Sequence, residues 1–181
     1  MAILHCYDRV QSEEMKAGAK PDPARFYLTP QKLRADVWMA LALRSSGLAW
    51  WWFGDGGKQW LTVADLPEAW QGMAEAVAEV HAVEPLLTRE GEESPYEFSP
   101  DPPEARVVAR VRRVGRRVLA IVASSEEERT ISYSLAIGNL SPPPTATVLF
   151  EGRTVPVDGQ VIEDSVGPLG RQSPATMPGV A

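Results

Sequence analysis

Gly47-Leu48-Ala49-Trp50-Trp51-Trp52-Phe53-Gly54-Asp55-Gly56 is the stretch on which the fold turns. An apolar run opens and closes on glycine and contains three consecutive tryptophans. A run this short, bounded by turn residues, predicts a strand buried on both faces, as in parallel α/β sheets. Alternation sets Trp50 and Trp52 on one face and Trp51 on the other. Aromatic residues at the carboxyl end of such a strand stand where α/β folds place their ligands. The flat face of an indole suits the apolar face of a sugar ring.

Helical patterns flank the run. Upstream, Thr29 is a good N-cap and Pro30 occupies the first helical position, where its missing N–H costs nothing. Leu33, Val37, Ala40, Leu41 and Arg44 recur at helical spacing, and Ser46-Gly47 is expected to end that helix. Downstream, Asp65 and Glu68 have capping-box spacing, and Trp70, Met73, Ala74, Val77 and Val80 keep the helical period until Pro85. Residues 2–7 read as a short strand and 11–28 as a polar connection. Strand, helix, strand, helix is a βαβα segment with parallel strands.

Past residue 88 the texture changes. Residues 89–104 are acidic and rich in proline, as in a linker. The period then becomes two. Val107, Ala109 and Val111 alternate with Arg106, Val108, Arg110 and Arg112, and a turn at Val114-Gly115 leads into Val118-Leu119-Ala120-Ile121-Val122-Ala123. Residues 130–137 form a further strand, and 147–150 with 154–157 a hairpin. Short strands at this spacing predict an antiparallel sandwich. Residues 172–181 have little to pack and are expected to be disordered. The reading is therefore α/β plus all-β: 1–88 a βαβα segment, 89–104 a linker, 105–170 a β-sandwich, and 171–181 a disordered tail.

Bulk properties narrow the function. Net charge is −6, which excludes a globally basic nucleic-acid or membrane-surface binder. Arg106, Arg110, Arg112, Arg113, Arg116 and Arg117 form a basic cluster, read as the solvated face of a sheet, with Glu126-Glu127-Glu128 a solvated turn. The single Cys6 rules out an internal disulfide framework, and His5 and His81 have no metal spacing, so neither metal nor cofactor is expected. No apolar run approaches the ~20 residues that span a bilayer. Residues 1–10 do not read as a signal peptide, so a complete chain would be cytoplasmic.

Leu28-Thr29-Pro30-Gln31-Lys32-Leu33-Arg34, Val37-Trp38-Met39-Ala40-Leu41-Ala42 and Gly47-Leu48-Ala49-Trp50-Trp51, in this order, resemble the last βα units of a (β/α)8-barrel glycoside hydrolase, and the elements after them resemble the β-sandwich that follows such a barrel. Residues 65–87 are similar to the closing helix. Val148-Leu149-Phe150-Glu151-Gly152-Arg153 and Glu163-Asp164-Ser165-Val166-Gly167-Pro168-Leu169-Gly170 carry the likeness to the sandwich. A full barrel needs ~250 residues, so the fold class is a partial barrel of two βα units plus a small antiparallel β-sandwich.

The resemblance implies carbohydrate as the partner and hydrolysis of glycosidic bonds as the chemistry. It places Trp51 at the floor of a sugar site. Trp60, Asp55 and Tyr7 are further candidate sugar contacts, and Asp8, at the end of the first strand, is a candidate catalytic carboxylate. Asp55-Gly56 also reads as ordinary turn chemistry. Two carboxylates are needed for glycoside hydrolysis, and one at most is found here, so the expected activity of the chain alone is nil. The alternative is a non-catalytic carbohydrate-binding or structural module. An open sheet edge also predicts self-association.

Overall fold

The computed structural model describes residues 1–5, 9–20, 22–51, 62–138 and 144–176. Strand β1 (Ala2–His5) leads to a short helix α1 (Arg9–Lys16), then α2 (Pro30–Ala42), β2 (Leu48–Trp51) and the long α3 (Pro67–Thr88). Strands β1 and β2 pair in parallel, Ala2 opposite Leu48 and His5 opposite Trp51. The stretch read as a polar connection thus holds α1 and a 3-10 turn at Pro23–Arg25. Buried Gln11 joins the two by accepting the Asp22 N–H at 2.8 Å.

Helix α2 starts as its sequence predicts, with Thr29 Oγ1 accepting the Lys32 N–H at 3.2 Å and Pro30 in the first turn. It ends earlier than Ser46-Gly47. Arg44 has φ 65°, its N–H bonds to Leu41 O, and the Ser45 N–H reaches back to Ala40 O. That is a Schellman ending in which arginine takes the place usually held by glycine. Helix α3 opens on Pro67, after a 3-10 turn in which the Asp65 carboxylate accepts both the N–H and the hydroxyl of Thr62. It also runs past Pro85, its expected end, to Thr88. Pro85 is exposed, so the helical carbonyl it leaves unpaired can bond to water. Val83 and Leu86 on either side are buried and hold the last turns in place.

Two antiparallel sheets follow. The larger has the order β3 (Glu92–Glu93), β5 (Val107–Val114), β6 (Arg117–Ser124), β11 (Arg171–Thr176), β8 (Thr145–Val148), β9 (Arg153–Pro156). The smaller has the order β10 (Val161–Val166), β7 (Ile131–Ile137), β4 (Tyr96–Asp101). Val107, Val111, Val118, Ala120 and Val122 from the first share one apolar cluster with Ile131, Leu135, Ile137, Ile162 and Val166 from the second. The other face of β6 carries Leu119, Ile121 and Ala123. These pack against Val37, Trp38 and Leu41 of α2 and Ala76, Val83 and Leu86 of α3. The molecule is layered as helices, larger sheet, smaller sheet.

That layering changes several expectations. The doubly buried strand is β6, not the tryptophan run: in β2 Leu48, Ala49 and Trp50 are half-buried and Trp51 is exposed. The stretch read as a linker contains β3 and β4. Pro100 is tolerated in β4 because that strand is an edge. The start of the supposed disordered tail is β11, inserted between β6 and β8 with a register shift between Gln172 and Ala175, where Pro174 sits. Residues 177–181 lie outside the described residues.

The arginine face of β5 is not solvated. Arg110 donates to Leu41 O at the end of α2 (3.0 Å) and to the Glu93 carboxylate (2.7 Å). Arg112 donates to Leu87 O and, at 2.6 Å, to Arg89 O at the end of α3. Neither helix has a basic residue in its own last turn. The sheet supplies the cations that the carbonyl ends favour. Glu126 is buried rather than solvated, and Glu127 pairs with Lys32 of α2 at 2.6 Å.

Candidate functional site

The short connection from α2 to β2 turns the helix back along the strands, so the amino end of α2 lies at the carboxyl ends of β1 and β2. Helix α3 runs alongside α2 in the same direction. Gly72 sits against Pro30, Arg34 pairs with Glu75 (3.3 Å), and the Trp38 indole donates to Glu79 (3.2 Å). Helix amino ends and strand carboxyl ends therefore share one end of the molecule, the end that carries sites in βα folds.

The two faces of the small parallel sheet differ. Leu4, Leu48 and Trp50 pack toward the helices. Trp50 also touches the cluster of Leu28, Leu33, Val63, Ala69 and Met73. Ile3, Ala49 and Trp51 share the opposite face, where Ile3 is 60% and Trp51 56% exposed. So Trp50 is a packing residue, and Trp51 presents a large apolar surface beside its register partner His5. Between the amino ends of α2 and α3 lies a groove of about 580 Å³ lined by Phe26, Leu28, Pro30, Leu66, Pro67 and Glu68.

Of the candidate catalytic and sugar-contact residues, Trp51 is among the described residues, and Tyr7, Asp8, Asp55 and Trp60 lie outside them. Neither β1 nor β2 carries a carboxylate. Among the described residues no cluster of three or more His, Cys, Asp or Glu could hold a metal, and no helix is long and apolar enough to cross a membrane.

The strongly shifted carboxylate is elsewhere. Glu126 is held at about 2, below its ordinary 4.5, by hydrogen bonds from the Arg129 guanidinium (3.1 Å) and the Arg106 N–H (2.8 Å). Its main-chain carbonyl also accepts the Leu169 N–H, so it clamps three segments of the β region. Burial and the neighbouring Asp164 carboxylate push the Tyr133 hydroxyl well up. Both belong to the packing of the sheets. Sequence reasoning missed Arg110, Arg112 and Glu126. The available signal was two helices without a basic last turn beside a strand with arginine on one face.

A parallel βα pair whose helices lie against an antiparallel β region is a fold found within glycoside hydrolases. Two solved structures have it at a TM-score of 0.51. One is the maltogenic α-amylase AmyB from Thermotoga neapolitana, 15% identical over 85% of this chain and 38% of its own. The other is an Anoxybacillus α-amylase, 13% identical over 83% of this chain and 33% of its own. AmyP in complex with maltotriose scores 0.49 at 12% identity, over 82% of this chain and 34% of its own. The chain spans about a third to two fifths of the length of these structures. No protein-family description and no curated protein matches it.

Proposed function

We propose that this chain is the last two βα units and the following β-sandwich of a glycoside hydrolase-like protein, that it associates with carbohydrate, and that by itself it does not hydrolyse glycosidic bonds. The observation that carries the reading is the parallel pair β1–β2, ending on exposed Trp51, with α2 and α3 seated on an antiparallel sheet. Trp51 is the sugar platform, and Tyr7, Asp55 and Trp60 are its candidate companions. Hydrolysis needs two carboxyl groups roughly 5–9.5 Å apart. The two strands supply none, and Asp8 alone would not complete the pair.

The test is a titration of tryptophan fluorescence with maltooligosaccharides, alongside a panel of aryl glycosides. Saturable quenching that disappears in Trp51→Ala, with no hydrolysis, is the expected result. Turnover of any aryl glycoside by the purified chain refutes the inactivity. Absence of any response to sugars refutes the carbohydrate role and leaves a structural module.

A second reading rests on the exposed face of β1–β2. A two-stranded parallel sheet is marginal alone. Ile3 and Trp51, exposed on the face of β1–β2 away from the helices, favour self-association through it. Sedimentation velocity showing a monodisperse monomer would remove this reading, whatever the outcome of the sugar titration.

A further inference from the structure

The end of the molecule opposite Trp51 holds a second cavity, of about 620 Å³. It exists because α3 runs about one turn beyond α2 once the two are aligned at the Pro30–Gly72 contact. The space below the end of α2 is closed by α3 on one side, the start of β2 on another, and β5 as its floor. Its volume lies within the roughly 300–1,000 Å³ typical of small-molecule sites.

The lining is two-sided in chemistry. Leu48, Trp50, Val80 and Leu87 make an apolar wall. Arg44, Arg110 and Arg112 face it with His81 and Glu84. Their partners are known. Arg110 and, more loosely at 3.8 Å, Arg44 share Glu93, and His81 lies 3.2 Å from Glu84. Among the described residues Arg112 has no carboxylate partner, and its guanidinium donates to the main-chain carbonyls of Leu87 and Arg89. Three guanidiniums thus stand against two carboxylates before His81 is counted. The carbonyl ends of α2 and α3 would repel an anion, but Arg110 and Arg112 already occupy Leu41 O, Leu87 O and Arg89 O. Two buried donors in lining residues, Arg112 Nε and Trp50 Nε1, have no acceptor among the described residues. Unmet need here is for acceptors, since a buried N–H without one is destabilising.

We infer that this cavity is a binding site for an amphipathic organic anion, its hydrocarbon part against Trp50, Val80 and Leu87 and its anionic group beside the guanidiniums of Arg112 and Arg44. The inference does not depend on the carbohydrate reading, which concerns the other end of the molecule. Arginine favours such an anion because its planar fork offers paired donors to a carboxylate or sulfonate.

The test uses 1-anilinonaphthalene-8-sulfonate, a fluorescent amphipathic anion, with the whole chain. The expected result is saturable enhancement at one site per chain, reversed by octanoate and not by octylammonium. Val80→Trp, which fills the apolar side without touching an arginine, abolishes it. Arg112→Met weakens it roughly tenfold, the loss of one charge-assisted contact. Thermal midpoints show that each variant is folded. If Arg112→Met unfolds, Val80→Trp and the octanoate–octylammonium comparison still decide. No enhancement, non-saturating enhancement, equal displacement by octylammonium, or unchanged binding in Val80→Trp overturns the inference.

Discussion

Replacing Arg110 with methionine keeps most of the apolar stem and removes the guanidinium that ties α2 to the sheet. The side chain is only 11% exposed, and it holds Leu41 O at 3.0 Å and Glu93 at 2.7 and 3.1 Å. Hydrogen bonds that involve a charged group are worth about 1.5–3 kcal/mol each. Glu93 is a third exposed and can rehydrate, so its share is the smaller. The carbonyl end of α2 sits under the cavity rim and regains water only in part. The expected loss is about 2–3 kcal/mol, and at roughly 2–4 °C per kcal/mol for a chain of this size the melting midpoint falls by about 4–12 °C. Urea denaturation followed by circular dichroism measures it, with exposed Arg116→Met as the control for loss of charge alone. Because the arginine connects two layers, helix and sheet signals should still melt together. A change in Arg110→Met no larger than in Arg116→Met would refute the capping argument. Loss of helical signal well before the sheet signal would refute the idea that the two layers share one cooperative core.

Gly72→Ala tests the helix pairing: the new methyl lies 2.4 Å from Pro30 Cβ and 2.7 Å from its Cα. The propensity gain of about 1 kcal/mol is outweighed by an overpacking cost of about 1–3 kcal/mol or more, so the midpoint falls, whereas Ala78→Gly on the exposed side of the same helix shows only the propensity loss. Glu126 makes stability pH-dependent. Its carboxyl sits at about 2 when folded, through the Arg129 and Arg106 hydrogen bonds, against 4.5 ordinarily. Its contribution is therefore complete above pH 4.5 and lost as pH falls toward 2. Melting midpoints measured between these limits should drop less steeply in Glu126→Gln than in the native chain. Deleting residues 171–181 bares the edges of β6 and β8 that β11 covers, and the expected product is insoluble or unfolded by light scattering and circular dichroism.

Local rules gave what depends on neighbours in sequence. Thr29-Pro30 starts α2 in the structure as in the reading, and Gly115, at φ 60°, makes the β5–β6 turn. What was lost depended on partners far along the chain. Pro85 looks like a stop until Val83 and Leu86 are seen buried against the sheet. Pro100 and Pro174 argue against strands until one proves to lie on an edge strand and the other where the register of β11 shifts. Arg110 and Arg112 alternate with valine, as on a solvated face. Nothing local says that two helix ends lie above them, 69 and 25 residues earlier in the chain. Of the candidate site, Trp51 alone can be followed from sequence to structure, where it is exposed.

The two apolar runs show how far composition can be trusted. Val118–Ala123 and Leu48–Trp51 both lack polar residues, yet the first is buried on two faces and the second on one. Small aliphatic side chains satisfy two packed layers at once and ask nothing further of either. An indole carries an N–H that needs an acceptor, and a flat surface larger than one helix contact covers. Trp50 is packed with its Nε1 unpaired among the described residues, and Trp51 is exposed. A tryptophan run is thus poor material for a strand sealed between layers and good material for one with a face toward a ligand or a partner. On the proposed reading the face of Ile3, Ala49 and Trp51 is such a surface. The sugar titration and the sedimentation experiment then divide its use between the two, because a face that closes on a second copy cannot also offer Trp51 to an oligosaccharide.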